Sequence, residues 1–262
     1  MLKIDTRARP WALAAFLVGA CLLQAGPAHA DGLGDLKAAL ARLQGQSPFK
    51  ALVEAKTWNK QGEGKDLDET HGLASVSIED GARGLTVVYS KDMLGKLETE
   101  ERNKERDPKA KTPTLSALSE VNSSTLRPML SAAGGLSRNI EKAIFKSEKP
   151  DAYNGRPARV LRFEMPIDRL TEKERKYMKN YEGVLDIWIA EDGTPLASRS
   201  SVAIAARAFL VVSFDTKNDE DWVYAVVGDR LVVVRKESRS SGSGMGEKGE
   251  GKTVKTLQVM SS

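Results

Sequence analysis

Few side chains in this sequence could do covalent chemistry, and their spacing restricts what that chemistry could be. The chain has one cysteine, Cys21, and two histidines, His29 and His71. A Ser-His-Asp arrangement would have to use His71, and no G-x-S-x-G turn presents a serine to it. His71 reads instead as an ordinary turn residue at the start of a strand. Tetrahedral zinc sites need several Cys or His ligands, more than this inventory holds. Carboxylates adjoin at Glu79-Asp80, Glu191-Asp192 and Asp219-Glu220-Asp221, groups that acid–base or calcium chemistry can use. Each falls at an expected turn, however, and none has the D-x-[DN]-x-[DN]-G spacing of a calcium loop. The glycines of Gly242-Ser-Gly-Met-Gly246 follow a strand, with no helix N-terminus for a phosphate to meet. The expectation is a protein with no catalytic residue, no metal ligand and no cofactor.

The remaining cysteine and histidine lie in a segment with the three parts of a secretory signal. Lys3, Arg7 and Arg9 form a basic head, residues 11–23 are apolar, and Ala28-His29-Ala30 precedes Asp31. The apolar run is shorter than the roughly 20 residues of a spanning helix, and Gly26-Pro27 breaks it before the A-x-A site. The expectation is cleavage between Ala30 and Asp31, export to the periplasm, and no transmembrane segment in the mature chain. Val18-Gly19-Ala20-Cys21 also resembles a lipobox, so lipid anchoring through Cys21 is the alternative. After cleavage no cysteine is left for a disulfide, and one core must hold the fold unaided. Acidic and basic residues are well mixed, without the basic stripe of a nucleic-acid surface.

The elements that must position any site are mostly strands. Leu33, Leu36, Leu40 and Leu43 have helical spacing over 35–43, and Ser47-Pro48 stops that helix. Alternation from Phe49 to Lys56 then marks a half-buried strand. Further strands follow at 73–78 and 85–89. Residues 91–135 form a helical insertion that Gly134-Gly135 closes. From 139 onward strands return, with Asn154-Gly155, Asp192-Gly193 and Gly228-Asp229 as hairpin turns. A charged helical turn at 170–178 interrupts them. The Ser/Gly-rich stretch 238–251 reads as a flexible loop. The result is a single α+β domain over 31–262, mainly antiparallel: about ten strands in a curved sheet or half-barrel, with helices on its concave face.

Several late strands are apolar on both faces, as at Val184–Ile189, Phe209–Phe214, Trp222–Val227 and Leu231–Val234. An antiparallel strand with one wet face should alternate, so helices are expected to cover the second face and to leave an apolar groove. The expected lining is Trp58, Trp188, Phe209, Val211 and Trp222 from the sheet, with Leu126 and Met129 from the helices.

The order of elements resembles the LolA-like superfamily of periplasmic lipoprotein carriers and lipoprotein-binding domains. The resemblance rests on the leucine-spaced helix leading into Phe49-Lys-Ala-Leu-Val-Glu-Ala55, the central helical insertion, and the strand–turn–strand Val184-Leu-Asp-Ile-Trp-Ile-Ala-Glu-Asp-Gly-Thr-Pro-Leu196. The carrier's arginine-proline and aromatic signature is absent from the early strands. The resemblance implies a non-enzymatic binding protein for an apolar ligand, such as a lipid or lipidated partner. The alternative is an envelope assembly or regulatory module that binds a protein through a sheet edge.

Overall fold

Asp31, the first of the described residues, caps a helix. The computed structural model describes residues 31–167, 171–175, 178–208, 212–244 and 246–260, which belong to one compact unit from Asp31 onward. Cys21 and Ala30 lie outside the described residues, as do Phe209 and Val211. The Asp31 carboxylate accepts from Gly34 N at 3.0 Å and starts α1, Gly32–Arg42; such a cap satisfies a helix donor that has no intrahelical partner. Leu36 and Leu40 are fully buried beneath α1.

The strands are β1 (Phe49–Gln61), β2 (Asp68–Gly81), β3 (Gly84–Tyr89), β4 (Ile144–Tyr153), β5 (Arg156–Glu164), β6 (Met178–Ile189), β7 (Pro195–Ala208), β8 (Val212–Val227), β9 (Arg230–Gly244) and β10 (Glu247–Met260). All ten pair antiparallel in one open sheet, in the order β3-β2-β1-β10-β9-β8-β7-β6-β5-β4. Every neighbour is joined by a hairpin except β1 and β10, which pair the two ends of the chain. The chain must therefore pass from one sheet edge, β3, to the other, β4. Helices α2 (Lys91–Arg106), α3 (Pro113–Ser119), α4 (Ser123–Leu130) and α5 (Ala132–Glu141) make that crossing. A one-turn helix, α6 (Glu172–Arg175), lies between β5 and β6.

The side chains on one sheet face form the core. Phe49, Ala51, Val53 and Ala55 of β1 alternate inward with Ala74, Val76 and Ile78 of β2, Leu161 and Phe163 of β5, and Leu185, Ile187 and Ile189 of β6. Helix α3 covers β1 and β2, α4 and α5 cover β9, and α1 packs on α5, β5 and β7. Gly72 is what lets α3 approach: the Pro113 carbonyl oxygen lies where a side chain would begin. Register shifts in β4–β5, β6–β7 and β8–β9 bend the strands locally. The fold is thus the expected α+β curved sheet with helices on one face.

Three details differ from the sequence reading, each for a physical reason. Gly134-Gly135 does not end the helices; α5 runs through both and includes residue 139, where a strand was expected. Burial of Ala132, Ala133, Leu136 and Ile140 along one stripe outweighs a glycine cost of about 1 kcal/mol each. Residues 212–214 and 222–227, expected in two strands, belong to one: 219–221 is the middle of β8 rather than a turn. Residues 238–251 are not a loop: they form the end of the β9–β10 hairpin, with Arg239 opposite Lys252 and Gly242 opposite Gly249. β9 also pairs with β8 as far as Gly244, so backbone hydrogen bonds on both sides replace the side-chain burial that this composition lacks.

The second apolar face is also covered differently from expectation. No helix packs there over β5–β10 among the described residues; instead, charges form a ladder across the strands. Arg162 forks onto Asp186 at 2.7 Å, Arg199 meets Asp221 at 2.5 Å, and Arg239 joins Asp221 to Glu237. Lys252 and Arg235 complete the group around Glu237 at 2.9 and 2.5 Å. The aliphatic stems of these long side chains shield the apolar residues between them.

Candidate functional site

Between α5 and strands β6–β8 the helical layer does not close on the sheet. The gap is a cleft of about 830 Å³, bordered by Pro128, Ala132, Leu136, Met165, Leu185 and Trp222, with Ser200, Glu220, Arg138, Asn139 and Lys142 supplying its polar groups. Ligand clefts typically fall between about 300 and 1,000 Å³.

The cleft floor is held by a chain of hydrogen bonds on β7, β8 and β9. Trp222 donates from Nε1 to Glu220 Oε2 at 3.0 Å. Lys236 Nζ lies 2.7 Å from Glu220 Oε1 and 4.7 Å from the centroid of the Trp222 ring. Ser238 Oγ is 3.3 Å from the same carboxylate. The indole is therefore clamped at its edge by a carboxylate and over its face by an ammonium group. Tyr224 packs beside it, ring centroids 6.4 Å apart, and its hydroxyl shares a hydrogen bond with Ser198 at 2.7 Å. Burial raises the Tyr224 phenol well above its ordinary value, although the Ser198 hydrogen bond works in the opposite direction.

The rim is basic. Arg138 stands in the last turn of α5 and Lys142, four residues on, is its C-cap; both are exposed. That spacing places them on one helix face. Neither has an ion-pair or hydrogen-bond partner among the described residues. Among the described residues Glu220 is the one acidic residue bordering the cleft, and Lys236 neutralises it.

Of the residues expected from sequence to line a groove, Trp222 alone is placed at this cleft. Trp58 and Trp188 are on the opposite sheet face and must be removed from the set. Trp58 donates to Glu69 Oε1 at 2.5 Å, while Trp188 donates to Asp151 Oδ2 at 2.7 Å and packs on Tyr153. Strand parity decides this: both flank positions whose side chains face the core. Leu126 and Met129 are fully buried core residues that hold α4 on the sheet and do not border the cleft. Phe209 and Val211 lie outside the described residues.

The remaining candidates have structural partners. His71 Nε2 is 3.0 Å from Glu69 Oε1 on an exposed surface. Asp80 binds Arg230 at 2.6 Å, and Asp192 receives Arg42 and the Thr194 amide in the β6–β7 turn. Asp219 and Asp221 face the outer surface, where Asp221 belongs to the ladder, whereas Glu220 between them faces the cleft. Among the described residues no group of three or more His, Cys, Asp or Glu is placed to hold a metal ion.

The sheet edges offer a second kind of surface. β4 pairs only with β5 and carries Lys146, Lys149 and Pro150, residue types that discourage strand addition; the other edge is β3. No helix among the described residues is long and apolar enough to cross a membrane.

Compared with protein-family models, with curated proteins and with solved structures, the chain finds no match in any of the three.

Proposed function

We propose that this protein is a non-enzymatic binding protein, exported to the periplasm, that holds an amphiphilic ligand between its sheet and α5. The ligand is a lipid or the acyl part of a lipidated partner. The observation that supports the reading is the cleft: apolar side chains of Pro128, Leu136, Met165 and Leu185 surround a rigid indole, and the polar groups gather at its rim. Binding draws on removal of apolar surface from water, worth about 25 cal/mol per Å². Trp222 is already held by Glu220 and Lys236, so little ordering is required when a ligand arrives. Partner capture at a sheet edge is the alternative: β4 carries lysines and a proline, whereas the β3 edge, Gly84–Tyr89, carries neither.

Native mass spectrometry of protein purified gently from its own cell envelope tests this reading. The expected result is a bound mass of lipid size that leaves on denaturation and is missing in Gly135→Trp, which places an indole at the cleft wall. Protein that is empty on isolation and takes up no alkyl ligand when one is supplied overturns it. The intact mass also tests export: cleavage predicts a chain beginning at Asp31, and lipid anchoring predicts a modified Cys21.

A further inference from the structure

We infer that the cleft selects anionic amphiphiles, with Arg138 and Lys142 holding an acidic head group such as a phosphate while the alkyl chain lies against Trp222. The inference rests on the binding role proposed above and adds the chemical class of the ligand.

Charge complementarity carries the argument. A cleft that held neutral lipids would need only its apolar wall and a few hydrogen-bond partners. This one has two cations one helical turn apart, without partners among the described residues, beside an apolar floor. The one carboxylate bordering it among the described residues, Glu220, is occupied by Lys236 and the Trp222 indole, so it neither neutralises the rim nor repels an incoming anion. The cleft thus has a net positive mouth and an apolar interior, the polarity of an acidic lipid reversed. A guanidinium can bond a phosphate or carboxylate through two parallel N–H groups, with the ammonium adding a point charge. Cations in the last turn of a helix also complement its dipole. That role needs no ligand, and it predicts a change in stability but none in ligand choice.

Isothermal titration of the purified protein separates these cases. Dodecyl phosphate, dodecyl maltoside and dodecyltrimethylammonium, each below its micelle concentration, supply one chain with three head groups, and inorganic phosphate supplies the head alone. The expected order is dodecyl phosphate tightest, about ten- to a hundredfold over dodecyl maltoside, with the ammonium weakest and inorganic phosphate weaker than dodecyl phosphate. R138Q/K142Q should abolish the preference by weakening dodecyl phosphate far more than dodecyl maltoside, and R138E should reverse it. Equal binding of all three alkyl ligands overturns the inference and leaves the cleft reading standing. Binding of none overturns both. Inorganic phosphate binding as tightly as dodecyl phosphate also overturns it, in favour of a small-anion site. Because both residues are exposed, the circular dichroism and melting of the double variant should match the parent; a variant that lost binding of every ligand together with its fold would be replaced by the single changes R138Q and K142Q.

Discussion

The same substitution, glycine to alanine, should stabilise this protein at one site and destabilise it at another, and the difference tests whether α3 is docked on the sheet. Gly95 is in the interior of the solvated helix α2, and nothing lies within 4 Å of where its Cβ would be. Gly95→Ala should therefore gain the helix-propensity difference, about 0.8–1 kcal/mol, which for a domain of this size raises Tm by about 2–4 °C. Gly72 is the opposite case. A methyl group there would meet the Pro113 carbonyl oxygen, with Thr57 Oγ1 at 2.5 Å and the Ala117 Cβ at 3.1 Å. The carbonyl is backbone and cannot swing aside, so α3 must lift from β2, at the usual overpacking cost of about 1–3 kcal/mol. Urea unfolding followed by far-UV circular dichroism reads both changes, and the slope with denaturant should stay constant. With no shared partners, the double variant should equal the sum. If Gly72→Ala melts at or above the parent temperature, α3 does not rest on β2 as described, and the account of how the helical segment crosses the sheet fails with it.

Other outcomes follow from the ion ladder, the buried phenol and the long hairpin. Burial pushes the Glu237 carboxyl up, but hydrogen bonds from Lys252 and Arg235 and the charges of Arg239 and Lys252 outweigh it and hold the group below its ordinary range. Its contribution is then present above the ordinary glutamate pKa and lost as pH falls below it. Glu237→Gln should cost about 1.5–3 kcal/mol at pH 7, and the gap from the parent should close in urea melts at the acid end. For Tyr224 the sign is reversed: the raised pKa preserves stability below about pH 10, the ordinary phenol value, and stability is lost as pH rises above it. In ultraviolet titration Tyr224→Phe should remove the last-ionising phenol. Amide exchange should show protection at Ser240 and Gly242, which pair on both sides of β9; exchange at the rate of an unstructured peptide would restore the loop expected from composition.

What the sequence made legible was whatever depends on short-range pattern. The early strand alternation at Phe49, Ala51 and Val53, the turn at Asn154-Gly155 and the leucine stripe of α1 are decided by local geometry, and each is found where expected. The misreadings come from tertiary context. Gly134-Gly135 looks like a helix stop, but α5 is held by burial of residues on either side of the pair. Ser238–Gly251 looks flexible, but as part of a central strand and its neighbour it needs few side chains to hold it. The α5 misreading also hid the candidate site, because Arg138 and Lys142 share a face only if their segment is helical. Nothing in residue type separates the three tryptophans; whether one faces the cleft or the opposite surface depends on strand register, which composition does not carry.

Register also explains why the ion ladder and the cleft share the same strands. On β8 the run Asp219-Glu220-Asp221-Trp222 alternates between two surfaces: the aspartates face outward, Asp221 to Arg199 and Arg239, while Glu220 and Trp222 face the cleft. A slip of one residue between β8 and either neighbour would exchange the two sets, exposing the indole and burying two carboxylates against apolar side chains. Serine and glycine on the inner side of β9 provide little packing to oppose such a slip, so the outer charge pairs become the stronger constraint on register. The ladder's role is then to hold Trp222, Glu220 and Lys236 in place from the far side of the sheet. Arg199→Ala and Asp221→Ala should accordingly weaken binding of an alkyl ligand although neither residue can touch it. Unchanged alkyl-ligand binding in both variants would show that the two faces act independently.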